Sequence, residues 1–100
     1  MDDRDYIIIL YDYYCELFND KQREYFEEYY FNNLSLGEIS ENLDISRNAI
    51  HKAIKNMVDR LYFYEDKLGI YEKSKKLNEI INELNDEEIK KKLINVLESE

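Results

Sequence analysis

One hundred residues carrying 23 acids against 14 bases, a net charge of −9, no proline and only two glycines predict a single short all-α domain with a modest core and no second domain. The acidity argues against a dedicated DNA-binding chain, whose long-range field is ordinarily positive, so attraction to a phosphate backbone would need a local patch. Ten tyrosines and four phenylalanines must carry much of the buried surface, and each buried tyrosine hydroxyl needs a partner or water.

The spacing predicts a first helix from Asp2 to Phe18. Asp2, Asp3 and Asp5 fill its first turn, as the helix dipole prefers, and Ile7, Leu10, Tyr14 and Leu17 form one apolar line. Ile8, Ile9 and Tyr13 widen that line, so this helix should meet two neighbours. The apolar run from Tyr6 to Tyr11 is too short to cross a bilayer and follows acids, not the basic region of a signal peptide. A soluble cytoplasmic protein without membrane insertion is expected. The single Cys15 has no internal disulfide partner and suits a reducing compartment and a structural role. Asn19 and Gln22 make a capping box that opens a second helix, running to about Asn32 with Tyr25, Phe26, Tyr29 and Tyr30 inward or half-inward.

From Ser35 to Met57 the chain reads as two short helices joined by a tight turn, a helix-turn-helix. Ser35 and Glu38 form a capping box, so the first motif helix should run from Leu36 to about Leu43 with Ile39 and Leu43 inward. Asn42 and Asp44 end it, both tolerating the left-handed backbone of a sharp turn. Ile45 plugs the angle between the helices and Ser46 caps the second, whose buried face continues through Ile50, Ile54, Met57 and Val58. The other side holds Arg47, His51 and Lys55 at intervals of four, with Asn48 and Lys52 beside them and no acid between Arg47 and Lys55. That composition suits a helix placed in the major groove: Lys and Arg for phosphates or guanine edges, Asn for adenine. It is also what an ordinary solvated face looks like.

Residues 1–34 hold nine acids and three bases, residues 35–60 four and four, and residues 61–100 ten and seven, so the motif is the neutral segment of an acidic chain. The chain is accordingly divided into N-terminal helices over 1–34, the motif over 35–57 and a helical tail over 58–100. Beyond Lys55 no stop is evident. Ile54, Met57, Leu61, Tyr64, Leu68 and Tyr71 alternate by three and four, as heptad positions do. A long helix from about Arg47 is expected, kinked or interrupted near Gly69, packing on the first helix or on a second copy; Met57, Leu61, Tyr64, Leu68 and Tyr71 are the candidate seam of a homodimer. A final helix should begin at Asn85, boxed by Glu88, and run through Ile89, Leu93, Ile94 and Leu97. Lys90, Lys91 and Lys92 lie among Glu87, Glu88 and Glu98 and read as a solvated face.

The segment from Asn19 to Glu24, with the helix-turn-helix through Lys55, is similar to region 4 of bacterial sigma factors, whose second motif helix reads a promoter element. The chain more closely resembles the YlxM family of small helix-turn-helix proteins over almost its whole length. The likeness is carried by the aromatic first helix, Lys21 and Gln22, Tyr29 and Tyr30, Ser35 to Ile39, Ser46 and Arg47, Ala49, and the stretch from Tyr64 to Leu68. That resemblance implies a cytoplasmic bacterial protein, encoded near signal recognition particle components and acting as a regulator in that pathway. Asp44, where such motifs often have glycine, and Gly69, in a tail usually more continuous, depart from the pattern.

The expected function is therefore binding: a nucleic-acid-binding regulator connected with the signal recognition particle pathway, its contacts to DNA or RNA made by Ser46, Arg47, Asn48, His51, Lys52 and Lys55. The rival is an acidic adaptor that keeps the fold without binding DNA and meets a basic partner such as a ribonucleoprotein. Catalysis is disfavoured, because the lone His51 has no placed nucleophile and the paired acids sit at helix starts, where capping explains them. No metal or cofactor is suggested.

Overall fold

Asp3 and Asp5 open α1 (Asp3–Tyr14), whose buried residues are Ile7, Leu10, Tyr11 and Tyr14. The computed structural model describes residues 3–98, so Asp2 lies outside the described residues. The helix is shorter than the expected span to Phe18. Cys15–Leu17 tighten into a 3₁₀ turn, and Phe18 leaves it in an extended conformation with its N–H on the Cys15 carbonyl at 3.1 Å. Three residues per turn in place of 3.6 rotates the following side chains. Leu17 is thus 55% exposed while Phe18 takes the inward place at 7%. The wider face is also differently made: Ile8 and Ile9 are half-buried, Tyr13 is exposed, and Tyr11 is the second buried aromatic.

Asn19 and Gln22 form the expected box, each side chain accepting the other's backbone N–H at 2.9 Å, and start α2 (Asp20–Tyr30). It stops before Asn32: Phe31 closes the last turn and Asn33 turns the chain at φ 56°. Phe26 is fully buried, and its ring stacks on Tyr11 with centroids 3.9 Å apart. Tyr11 donates its hydroxyl to Glu27 at 2.7 Å, which satisfies the polar end of a buried ring. Arg4, unremarked among the N-terminal acids, donates to the Tyr30 carbonyl and to Asn33 Oδ1, both at 2.7 Å. A cation thus sits at the negative end of α2 and ties α1 to it.

Two further helices complete this part of the chain, the short α3 (Leu36–Leu43) and the long α4 (Arg47–Leu68). Ile39, Ile50 and Ile54 form the motif's own core, with Tyr25, Tyr29, Tyr30, Leu34, Leu36, Leu43, Ile45 and Val58 packed round it. The long α4 is the common support, touching α1, α2 and α3. Met57 and Leu61 are fully buried within the chain on this helix, Tyr64 is half-buried and Leu68 is 47% exposed. Within the chain the long helix packs against α1. Tyr14 donates to Glu65 at 2.6 Å and joins the same pair of helices.

The described chain divides into two compact units, one ending at Leu68 and one beginning at Gly69. Gly69, at φ 62°, interrupts the helix in a left-handed conformation that a glycine adopts without steric cost. The heptad line therefore breaks between Leu68 and Tyr71. The second unit contains α5 (Ile70–Asn82), in which Ile81 is buried, and α6 (Glu87–Glu98), which packs against α5. The start of α6 corrects the expectation: Asp86, not Asn85, is the cap. Its Oδ1 accepts the N–H groups of Glu88 at 3.0 Å and Ile89 at 3.2 Å. Both residues cap well, but a carboxylate also complements the helix dipole. The protein is all-α, with no strand among the described residues, and no described helix is long and apolar enough to cross a membrane.

Candidate nucleic-acid interface

The motif is built by short-range hydrogen bonds. Ser35 Oγ accepts the Glu38 N–H at 3.1 Å and Glu38 Oε1 accepts the Ser35 N–H at 3.0 Å. The Ser35 N–H donated to the carboxylate, with the Ser35 hydroxyl beside it, favours the charged form and holds the Glu38 pKa below its ordinary 4.5. At the other end Asp44 adopts the expected left-handed conformation, φ 54° and ψ 46°, with its N–H on the Ser40 carbonyl. Sequence reasoning missed a second lock on the turn. Ser40 Oγ donates to the Ile45 carbonyl at 2.6 Å, fixing the residue that packs against the motif core.

Ser46 caps α4, its Oγ accepting the Ala49 N–H at 3.1 Å. From there Ile50 and Ile54 turn inward, while Ser46, Arg47, Asn48, His51, Lys52 and Lys55 are all exposed. The first turn of α4 contains no acid. Among the described residues Arg47, Lys52 and Lys55 make no ion pair, so their charges are not cancelled locally. Acids return only beyond the stripe, at Asp59, Glu65 and Asp66, and before it at the exposed Asp44. A helix presenting cations, an amide and an exposed first turn without acids can accept phosphates and base edges.

Beside the stripe lies a groove of about 220 Å³ lined by Tyr29, Tyr30, Leu36, His51, Ile54, Lys55 and Val58. Tyr29 and Tyr30, expected inward or half-inward, form one wall of this groove. Both are half-buried, with rings 5.0 Å apart and nearly perpendicular at 85°. Burial pushes the Tyr30 hydroxyl pKa up, aided by Tyr29 and opposed by Arg4, whose guanidinium lies 5.1 Å from the Tyr30 ring centre. The adjacent tyrosine pair was the available signal. Their meeting with His51 and Lys55 requires α2 and α4 together.

Comparison with known proteins agrees with the motif. A family described as "Putative helix-turn-helix protein, YlxM / p13 like" matches residues 1–99. A UPF0122 protein of Caldanaerobacter subterraneus is 49% identical over 83 residues, covering 83% of this chain and 71% of its own. One from Ureaplasma parvum is 47% identical over 88 residues, covering 88% and 89%. A third, from Fusobacterium nucleatum, is 40% identical over 86 residues, covering 86% and 84%. The family description names a helix-turn-helix protein. With the match spanning nearly every residue and the motif present in the structure, the chain belongs to the YlxM/p13-like UPF0122 family of helix-turn-helix proteins.

Proposed function

We propose that this protein is a nucleic-acid-binding regulator whose contact surface is the N-terminal half of α4. The observation that carries the reading is the exposed, acid-free stripe of Arg47, Asn48, His51, Lys52 and Lys55 on a capped motif helix, in a chain that is otherwise strongly acidic. Ser46 adds its hydroxyl and the N–H groups of the first turn. By the family resemblance, the regulation is proposed to act in the signal recognition particle pathway, on DNA or RNA connected with its components. The test is titration of labelled duplex DNA and RNA at low salt, followed by the Arg47→Ala/Lys52→Ala double variant. Loss of two good contacts, each worth about 1–3 kcal/mol, should weaken binding tenfold or more without changing helicity. Equal binding by the variant, or none by the parent, would sink the stripe model.

A net charge of −9 favours a second reading, an adaptor that meets a basic protein or ribonucleoprotein. Pull-down from native cells, analysed for both nucleic acid and protein, separates the two, since only phosphate contacts weaken steeply with salt. A homodimer remains proposed. Because Met57 and Leu61 are already buried inside one chain, its surface would be drawn from exposed residues such as Tyr62, Phe63 and Leu68.

A further inference from the structure

We infer that the groove between α2 and α4 receives a single unpaired nucleobase of a bound strand, stacked on the Tyr29 ring with Tyr30 nearly perpendicular beside it and the adjoining phosphate on Lys55; this rests on the nucleic-acid reading above. Three observations select that occupant. The lining is aromatic and apolar, from Tyr29, Tyr30, Leu36, Ile54 and Val58, and a base offers a flat ring that stacks on tyrosine whatever its identity. Its ionisable rim is His51 and Lys55, with no carboxylate among the lining residues of a chain with net charge −9, so the rim complements a phosphate rather than an acidic environment's usual cationic ligand. Its volume of about 220 Å³ falls below the roughly 300–1,000 Å³ of sites for drug-sized molecules, which suits one base and excludes a large cofactor.

Position supplies the link to the stripe. His51 and Lys55 belong to both surfaces, so a backbone lying along α4 passes the groove's mouth. A base inside a regular duplex is stacked and cannot enter. An unpaired base can be splayed out, as in recognition of loops and bulges. The groove therefore distinguishes an interrupted helix from a continuous one, a selectivity that the stripe alone does not provide.

The test uses the full chain and fluorescein-labelled hairpins, paired throughout or carrying one unpaired pyrimidine, each made as RNA and as DNA. At low salt the bulged hairpin should bind about tenfold more tightly than its paired counterpart in at least one of the two chemistries, and the arm that responds identifies the preferred backbone. Tyr29→Ala should erase the difference between bulged and paired hairpins, and Tyr29→Phe, which keeps the ring, should retain it. On the unaltered protein, 5-iodouracil at the bulge should photo-crosslink to the peptide containing Tyr29 and Tyr30, a readout that does not depend on any variant folding. Equal binding of bulged and paired hairpins, or a crosslink mapping elsewhere, overturns the groove while leaving the stripe intact. Binding of neither hairpin overturns both.

Discussion

Asp44 sits at φ 54°, where an L-residue pays roughly 1–2 kcal/mol and a glycine pays little. Glycine in turn loses about 0.5–1 kcal/mol more chain entropy on folding, so the balance for Asp44→Gly is a gain of up to about 1.5 kcal/mol. A rise of several degrees in the thermal midpoint is expected, read by circular dichroism; a fall would mean that the aspartate side chain stabilises the turn more than its backbone strains it. The same substitution removes a carboxylate beside the stripe and should strengthen nucleic-acid binding. Glu38 makes a pH prediction. Its folded pKa is depressed, so the folded state binds protons less readily than the unfolded one, and its contribution is present above about 4.5 and lost as pH falls through the folded value. Between about pH 5 and pH 3 the parent should lose more thermal stability than Glu38→Gln, which has no proton to take up there. Parallel curves would show that the box is indifferent to the charge.

At the scale of elements, α4 serves two surfaces at once: Met57 and Leu61 are buried and Arg47 to Lys55 supply the exposed stripe. Met57→Ala should destabilise the protein by about 2–5 kcal/mol, because the side chain is fully buried and its removal leaves a cavity. Chemical denaturation with an unchanged slope checks it; a loss below about 0.5 kcal/mol, the size of an ordinary surface substitution, would return Met57 to the candidate dimer seam. Gly69 separates α4 from α5 in a left-handed conformation. Gly69→Ala should cost about 1–2 kcal/mol through backbone strain. An unchanged midpoint would mean that the helix simply continues through this position. Three caps were legible in the sequence because each joins residues three apart, Asn19 with Gln22, Ser35 with Glu38 and Ser46 with Ala49; the cap of α6 was not, because Asn85 and Glu88 have the same spacing and the adjacent Asp86 caps instead. The end of α1 was not, since the 3₁₀ turn that exposes Leu17 and buries Phe18 is favoured by the packing of Phe18 near Tyr11 and Tyr64, at 6.5 and 6.0 Å between ring centres.

For the molecule as a whole, long-range charge and local charge oppose each other. Three formal cations lie on the stripe, Arg47, Lys52 and Lys55, against a net charge of −9. If they make the phosphate contacts, the logarithm of the binding constant should fall with the logarithm of salt at a slope no steeper than roughly −3, at about −0.9 per phosphate neutralised on duplex DNA. Fluorescence anisotropy across a salt series measures it. A slope twice as steep would require cations outside the stripe, such as those near Lys75 and Lys91, and would relocate the interface.

By itself the sequence determined that the chain is helical, where the motif lies, how its helices are capped and which bases escape neighbouring acids. These are consequences of local spacing and of charge order along the chain. Only the tertiary structure decided which partner each apolar face would meet. Heptad spacing in Met57 and Leu61 is equally compatible with a second copy and with α1, and the choice of α1 depends on where Tyr14 and Glu65 arrive after the chain has turned through α2 and α3. The groove is of the same kind. Tyr29 and Lys55 acquire a common surface only when α2 is laid against α4, because a cavity is a property of packed neighbours separated in the chain and leaves no periodic trace in either helix alone.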